Sequence, residues 1–84
     1  MEEVVKFLGT VGNCAVVKIQ ERKYPGIVFQ GDTVKSYIEQ LTAVINSVRE
    51  GRADVALEEC EDIKNTLEGY LLGYEVLCRK NGFE

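Results

Sequence analysis

The sequence predicts an α+β fold of the order β-β-β-α-α, a three-stranded, mainly antiparallel sheet packed against a C-terminal antiparallel helical hairpin. Three observations predict it. Short β-branched runs with alternating apolar residues fill the chain up to about residue 30. From Val34 onward the apolar period changes from 2 to 3.6. Only Gly51-Arg52-Ala53 lies between the two helical patterns, and so short a connection folds its helices back on one another.

The first strand is expected over about residues 2–8, with Val5 and Phe7 on one face. Gly9-Thr10-Val11-Gly12-Asn13 then reads as a loop or hairpin turn. Residues 14–20, CAVVKIQ, give the best strand signal, with Val17 and Ile19 on one face and Val16 and Lys18 on the other. Glu21-Arg22-Lys23 is a polar connection, and residues 26–30, GIVFQ, are a short third strand. Pro25 precedes that strand, where its missing N–H costs no ladder bond.

The first helix is expected over about residues 33–50. Val34, Tyr37, Ile38, Leu41, Val44, Ile45 and Val48 form a core-facing stripe. Asp32 is the expected N-cap, Arg49 complements the dipole in the last turn, and Gly51 suits the left-handed stop. The second helix is expected over about residues 54–80, from Asp54 as N-cap to the Asn81-Gly82 stop. Its stripe runs from Leu57 through Cys60, Ile63, Leu67, Tyr70, Leu71, Tyr74 and Leu77 to Cys78. At 1.5 Å per residue the helices measure about 26 Å and about 40 Å, so the second overhangs by roughly 15 Å.

Eighty-four residues, 45% of them hydrophobic and 29% charged, make one globular domain. No apolar run approaches a membrane span, and MEEVVKF is acidic where a signal peptide is basic. A cytoplasmic location is therefore the expectation. Cys14, Cys60 and Cys78 are odd in number and widely spaced, which fits small apolar core residues better than disulfides or a zinc set.

The net charge is −4, unevenly spread. Residues 1–30 hold three acids and four bases, and residues 31–84 hold eleven acids and six bases. An acidic surface disfavours nucleic acid and suits a basic protein partner. With no histidine in the chain, the sequence offers no His-based catalytic set. GDTVKS lacks the spacing of a phosphate loop, and no metal or cofactor motif is present. The expectation is a non-enzymatic protein without cofactors.

Three stretches stand out as candidate contact sites. The acids Glu58, Glu59, Glu61 and Asp62 lie early in the second helix, either as an ordinary solvated face or as a docking surface for a basic partner. Tyr24, beside Arg22 and Lys23, is a candidate interface anchor. In GYLLGY, Gly69 and Gly73 stand at i and i+4 of a helix, each costing about 0.8–1 kcal/mol against alanine. Such a smooth groove admits either a neighbouring element of the same chain or a homodimer contact, with Leu72 and Val76 widening the apolar surface.

The run RKYPGIVFQGDT resembles a motif of a family of small, functionally uncharacterised bacterial proteins. The matching positions are Arg22, Tyr24, Pro25, Gly26, Gln30, Gly31, Asp32 and Thr33. The resemblance implies the plan of strands, motif and helical hairpin, and no activity. By type the chain is also similar to immunity proteins of contact-dependent growth inhibition and other polymorphic toxin systems, which are small, acidic and non-enzymatic. That resemblance implies a cognate toxin with a basic, nuclease-like domain as partner. A self-associating accessory subunit is the alternative, and a small-ligand site using Tyr24, Gln30 and Asp32 a third reading.

Overall fold

β1, Val5–Val11, and β2, Cys14–Ile19, pair antiparallel, and β3, Gly26–Val28, continues the sheet on the other side of β2. Two helices follow, α1 over Gly31–Arg49 and α2 over Ala53–Lys80. This is the expected β-β-β-α-α order, seen in a computed structural model that describes residues 4–83. Residues 2 and 3 of the expected first strand lie outside the described residues.

β1 differs most from expectation, because it runs on through Gly9, Thr10 and Val11. The hairpin turn is Gly12-Asn13 alone, between the paired Val11 and Cys14. Gly12 has φ +59, as the first central residue of a two-residue turn matching the strand twist requires. Between Phe7 and Gly9 the register slips, since Phe7 pairs with Val17 and Gly9 with Val16. Leu8 is thus the extra residue of a β-bulge, which reverses the alternation behind it. Val5 and Phe7 share one face with Val17 and Ile19; Gly9 and Val11 share the other with Cys14 and Val16. β3 stops at Val28, so Phe29 and Gln30 leave the strand before α1 begins.

The chain divides into two compact units, one of residues up to Phe29 together with those from Gly69 on, the other Gln30–Glu68. Within the first unit the later half of α2 covers the Cys14–Val16 face. Gly73 of the helix meets Val11, and Gly9 of the strand meets Leu77. Val16 is fully buried there, along with Cys14 and Cys78. On the opposite face of the sheet, Val5, Phe7 and Val28 remain exposed, Phe7 at 63%.

The second unit is the helical hairpin. Ala56 and Ile63 of α2 are buried with Ser47 of α1. The single stripe expected on α1 is two stripes in the structure. Tyr37 and Val44 are half-buried on the side of Ser47, whereas Val34, Ile38, Leu41, Ile45 and Val48 are 47–61% exposed. α2 divides likewise, with Leu57, Cys60 and Leu67 outward. Cys60 is therefore not the core residue expected of it. Two helices packed side by side bury only the edge each turns to the other, so the broader apolar surface of α1 is left over.

The helix starts also correct the sequence reading. The N–H groups of Thr33 and Val34 donate to Gln30 O at 3.1 and 3.2 Å, so α1 begins two residues early with Gln30 as its N-cap and no side-chain cap. Asp32 sits inside the first turn, where its charge still complements the dipole. Ala56 N–H donates to Arg52 O at 3.1 Å, which likewise puts Asp54 inside α2. Both helices stop by the same device. Arg52 N–H reaches Ser47 O at 2.8 Å around Gly51 at φ +76, and Phe83 N–H reaches Cys78 O at 2.8 Å around Gly82 at φ +80. These are Schellman motifs, with glycine where a side chain is disfavoured.

Candidate functional site

The acidic stretch of α2 is built by helical spacing. Glu58, Glu61 and Asp62 stand three and four residues apart on one flank, and all three are exposed. Glu59 points elsewhere, accepting a hydrogen bond from the buried Ser47 hydroxyl at 2.8 Å. It ties α2 to α1, so the four candidate acids separate into a solvated ridge of three and one hairpin residue. Among the described residues the ion pairs are Arg52–Glu50 at 2.6 Å and Lys64–Glu68 at 2.9 Å, and neither takes a ridge acid. The Lys64 ammonium is raised above its ordinary pKa by its hydrogen bond to Glu68 and that carboxylate's charge, with a smaller contribution from Glu61.

GYLLGY also separates. A Cβ at Gly73 would stand 2.5 and 2.8 Å from the two γ-methyls of Val11. β1 of the same chain fills the groove at that point, which removes Gly73 from the candidate self-association surface. Gly69 has open space over it, Leu72 is 62% exposed and Val76 lies at the border of exposure.

The Tyr24-Pro25 segment is fastened to α2. Tyr74 Oη donates to Pro25 O at 2.8 Å. The Lys18 ammonium donates to the carbonyls of Ile19, at 2.9 Å, and Arg22, holding the connection that leads into the motif. Tyr24 itself is exposed, with Lys23 Nζ 5.3 Å from its ring centroid. Next to it a mostly apolar cleft of about 320 Å³ is lined by Tyr24, Tyr74, Glu75, Cys78, Arg79 and Phe83. Gln30 and Asp32 are not part of that lining. Burial pushes the Tyr74 phenol above its ordinary pKa, and the Cys78 thiol and Tyr24 add to the rise.

Phe83, Arg79 and Lys18 were not singled out in the sequence. Phe83 had a legible signal, since an apolar residue just after a helix-stopping glycine packs back on the last turn. It shares the cleft with Cys78, whose carbonyl accepts its N–H. Lys18 had none, because its contacts are with carbonyls and with the Phe83 ring, 5.9 Å away.

Among the described residues no group of three or more acids and cysteines is placed to hold a metal ion. No helix among them is long and apolar enough to cross a membrane. The described residues present an acidic ridge, outward apolar side chains on the sheet and on the hairpin, and an aromatic cleft beside Tyr24. No curated protein and no solved structure matches the chain significantly. A family profile does match, over residues 1–84, and the chain belongs to DUF6959, a family of unknown function.

Proposed function

We propose that the chain is a non-enzymatic protein-binding module for a basic partner. In its most concrete form it is a cytoplasmic immunity protein that occludes the basic substrate cleft of a toxin domain. The observation that carries this reading is the ridge of Glu58, Glu61 and Asp62, three carboxylates in water on one flank of a helix. Such a surface attracts a basic partner at long range and speeds encounter at low salt. The absence of histidine and the free thiols of Cys14, Cys60 and Cys78 agree with a non-catalytic protein of a reducing compartment.

Affinity capture from the native host at low and high salt tests the reading. A basic protein should be retained at low salt, released as salt rises, and lost when Glu58, Glu61 and Asp62 are reversed to lysine. Glu59→Gln should leave capture intact. Retention indifferent to the triple reversal would sink the proposal.

A second reading, a self-associating accessory subunit, is favoured by one specific observation. The outward stripe of α1 sets five aliphatic side chains, each 47–61% exposed, along one face of the helix, the kind of contiguous apolar surface that marks an interaction site.

A further inference from the structure

The outward stripe of α1 has a regular spacing. Val34, Ile38, Leu41, Ile45 and Val48 recur at steps of 4, 3, 4 and 3, the a/d alternation of a helix that receives other helices. On α2 the outward Leu57, Cys60, Lys64 and Leu67 recur at steps of 3, 4 and 3. Lys64 interrupts the apolar run only at its tip, because its ammonium turns to Glu68 at 2.9 Å and leaves the stem on the face.

Both stripes lie on the same side of the hairpin. At about 100° per residue, each is displaced by roughly 100° from the edge its helix buries, and in the same rotational sense. Those edges are Tyr37, Val44 and Ser47 on α1, and Ala56 and Ile63 on α2. Equal rotations on antiparallel helices bring the stripes to one face. That face is about 25 Å long and two helix diameters, about 20 Å, wide. Its plan area is about 500 Å², so two copies joined through it bury about 1,000 Å² in all, the size at which a specific interface becomes stable.

The charges along its outer margins choose the occupant. Beside the α1 stripe, at seven-residue intervals, stand Lys35, Thr42 and Arg49; beside the α2 stripe stand Asp54, Glu61 and Glu68. Counted from the turn at 1.5 Å per residue, Arg49 is level with Asp54, Thr42 with Glu61 and Lys35 with Glu68, to within about 2 Å. We propose that two copies of this chain pair through this face as a four-helix bundle, α1 of each lying along α2 of the other. A twofold axis parallel to the helices then sets Arg49 against Asp54 of the second copy and Lys35 against Glu68 of the second copy. An axis across the helices sets α1 on α1, bringing Lys35 against Arg49 and Asp54 against Glu68, and the like charges disfavour it.

Sedimentation equilibrium of the full chain, from micromolar to millimolar, tests the pairing. A dimer is expected. Leu41→Glu should raise its dissociation constant roughly a hundredfold or more, since it buries a charge in each copy, while far-UV circular dichroism stays unchanged because Leu41 is half-exposed in the single chain. Lys35→Glu alone should weaken the dimer about tenfold, two surface pairs being reversed by symmetry. A chain with Lys35→Glu and Arg49→Glu, mixed with one carrying Asp54→Lys and Glu68→Lys, should form a heterodimer as tight as the original, though each associates poorly alone. A monomer throughout, a dimer unmoved by Leu41→Glu, a dimer tightened by Lys35→Glu, or mixed variants that stay apart would each overturn the proposal. The α1 substitutions leave the acidic ridge intact, so their outcome is independent of partner capture.

Discussion

Two glycines four residues apart on α2 are expected to respond oppositely to the same substitution. Alanine at Gly69 meets open space, so only the intrinsic helix preference acts, and the protein should gain about 0.8–1 kcal/mol. Alanine at Gly73 gains the same preference but forces its methyl against Val11, whose Cγ1 and Cγ2 stand 2.5 and 2.8 Å from the ideal Cβ position. Both distances are shorter than real carbon contacts, and Val11 is stiff at χ1 with methyls on two sides, so β1 must shift. Overpacking of this kind costs about 1–3 kcal/mol. The net change at Gly73 is then a loss of roughly 0–2 kcal/mol, and the two variants should differ by about 1–3 kcal/mol. Urea unfolding followed by circular dichroism, at one protein concentration because association shifts midpoints, reads this as opposite displacements of the transition. Val11→Ala should abolish the difference, giving a coupling energy near the overpacking cost. Equal stabilisation at both glycines, or a penalty at Gly73 that survives Val11→Ala, would refute the contact between α2 and β1.

Three further outcomes follow from the same geometry. Ser47→Ala should cost about 1–2 kcal/mol, because a buried hydroxyl bonded to the Glu59 carboxylate is lost; the urea midpoint checks it. Gly51→Ala should cost about 1–2 kcal/mol by forcing a side chain to φ +76, seen as a thermal midpoint lowered by about 4–8 °C per kcal/mol. Tyr74, whose phenol is held above its ordinary pKa by burial and by Cys78, should ionise above the ordinary phenol value in an alkaline titration followed by ultraviolet absorbance, a component that Tyr74→Phe removes. A raised folded-state pKa favours the folded protein below the unfolded value of about 10, and that contribution is lost as pH rises through the folded value. Tyr74→Phe should flatten this alkaline loss and cost about 0.5–1.5 kcal/mol at neutral pH through the missing bond to Pro25.

The helices were legible because their signals are local. A change of apolar period and a glycine stop placed α1 and the turn at Gly51, whose φ of +76 is what the stop needs. β1 was misjudged where the reasons are not local. Gly9 reads as a loop residue, yet it is a strand residue at φ +150, a backbone conformation that side chains rarely adopt, with Leu77, far along the chain, 2.9 Å from where a Cβ would stand. The bulge at Leu8 broke the alternation that would have carried the strand to Val11. Asp32 and Asp54 were reasonable caps by residue type, but the backbone carbonyls of Gln30 and Arg52, each two residues earlier, had already begun the helices. The acidic ridge was legible as composition. That Glu59 leaves it depended on Ser47, a residue with no pattern of its own. The heptad spacing of α1 was present in the letters, and only the exposure of its residues separates it from a core stripe.

Of the two units, one is continuous in sequence, Gln30–Glu68, and the other joins the residues before it to those after it. During synthesis this imposes an order. The hairpin can close as soon as its own segment leaves the ribosome, whereas Val16 must wait for Leu77 and its neighbours, made some sixty residues later. Through that interval the nascent sheet has both faces wet and its first and third strands unguarded, the stage at which strands meet those of other chains. Nascent chains held by an arrest linker just long enough to expose residues up to Glu68 should therefore carry a protease-resistant hairpin beside a sheet that chaperones still hold, and a longer linker that exposes the remaining residues should end that hold.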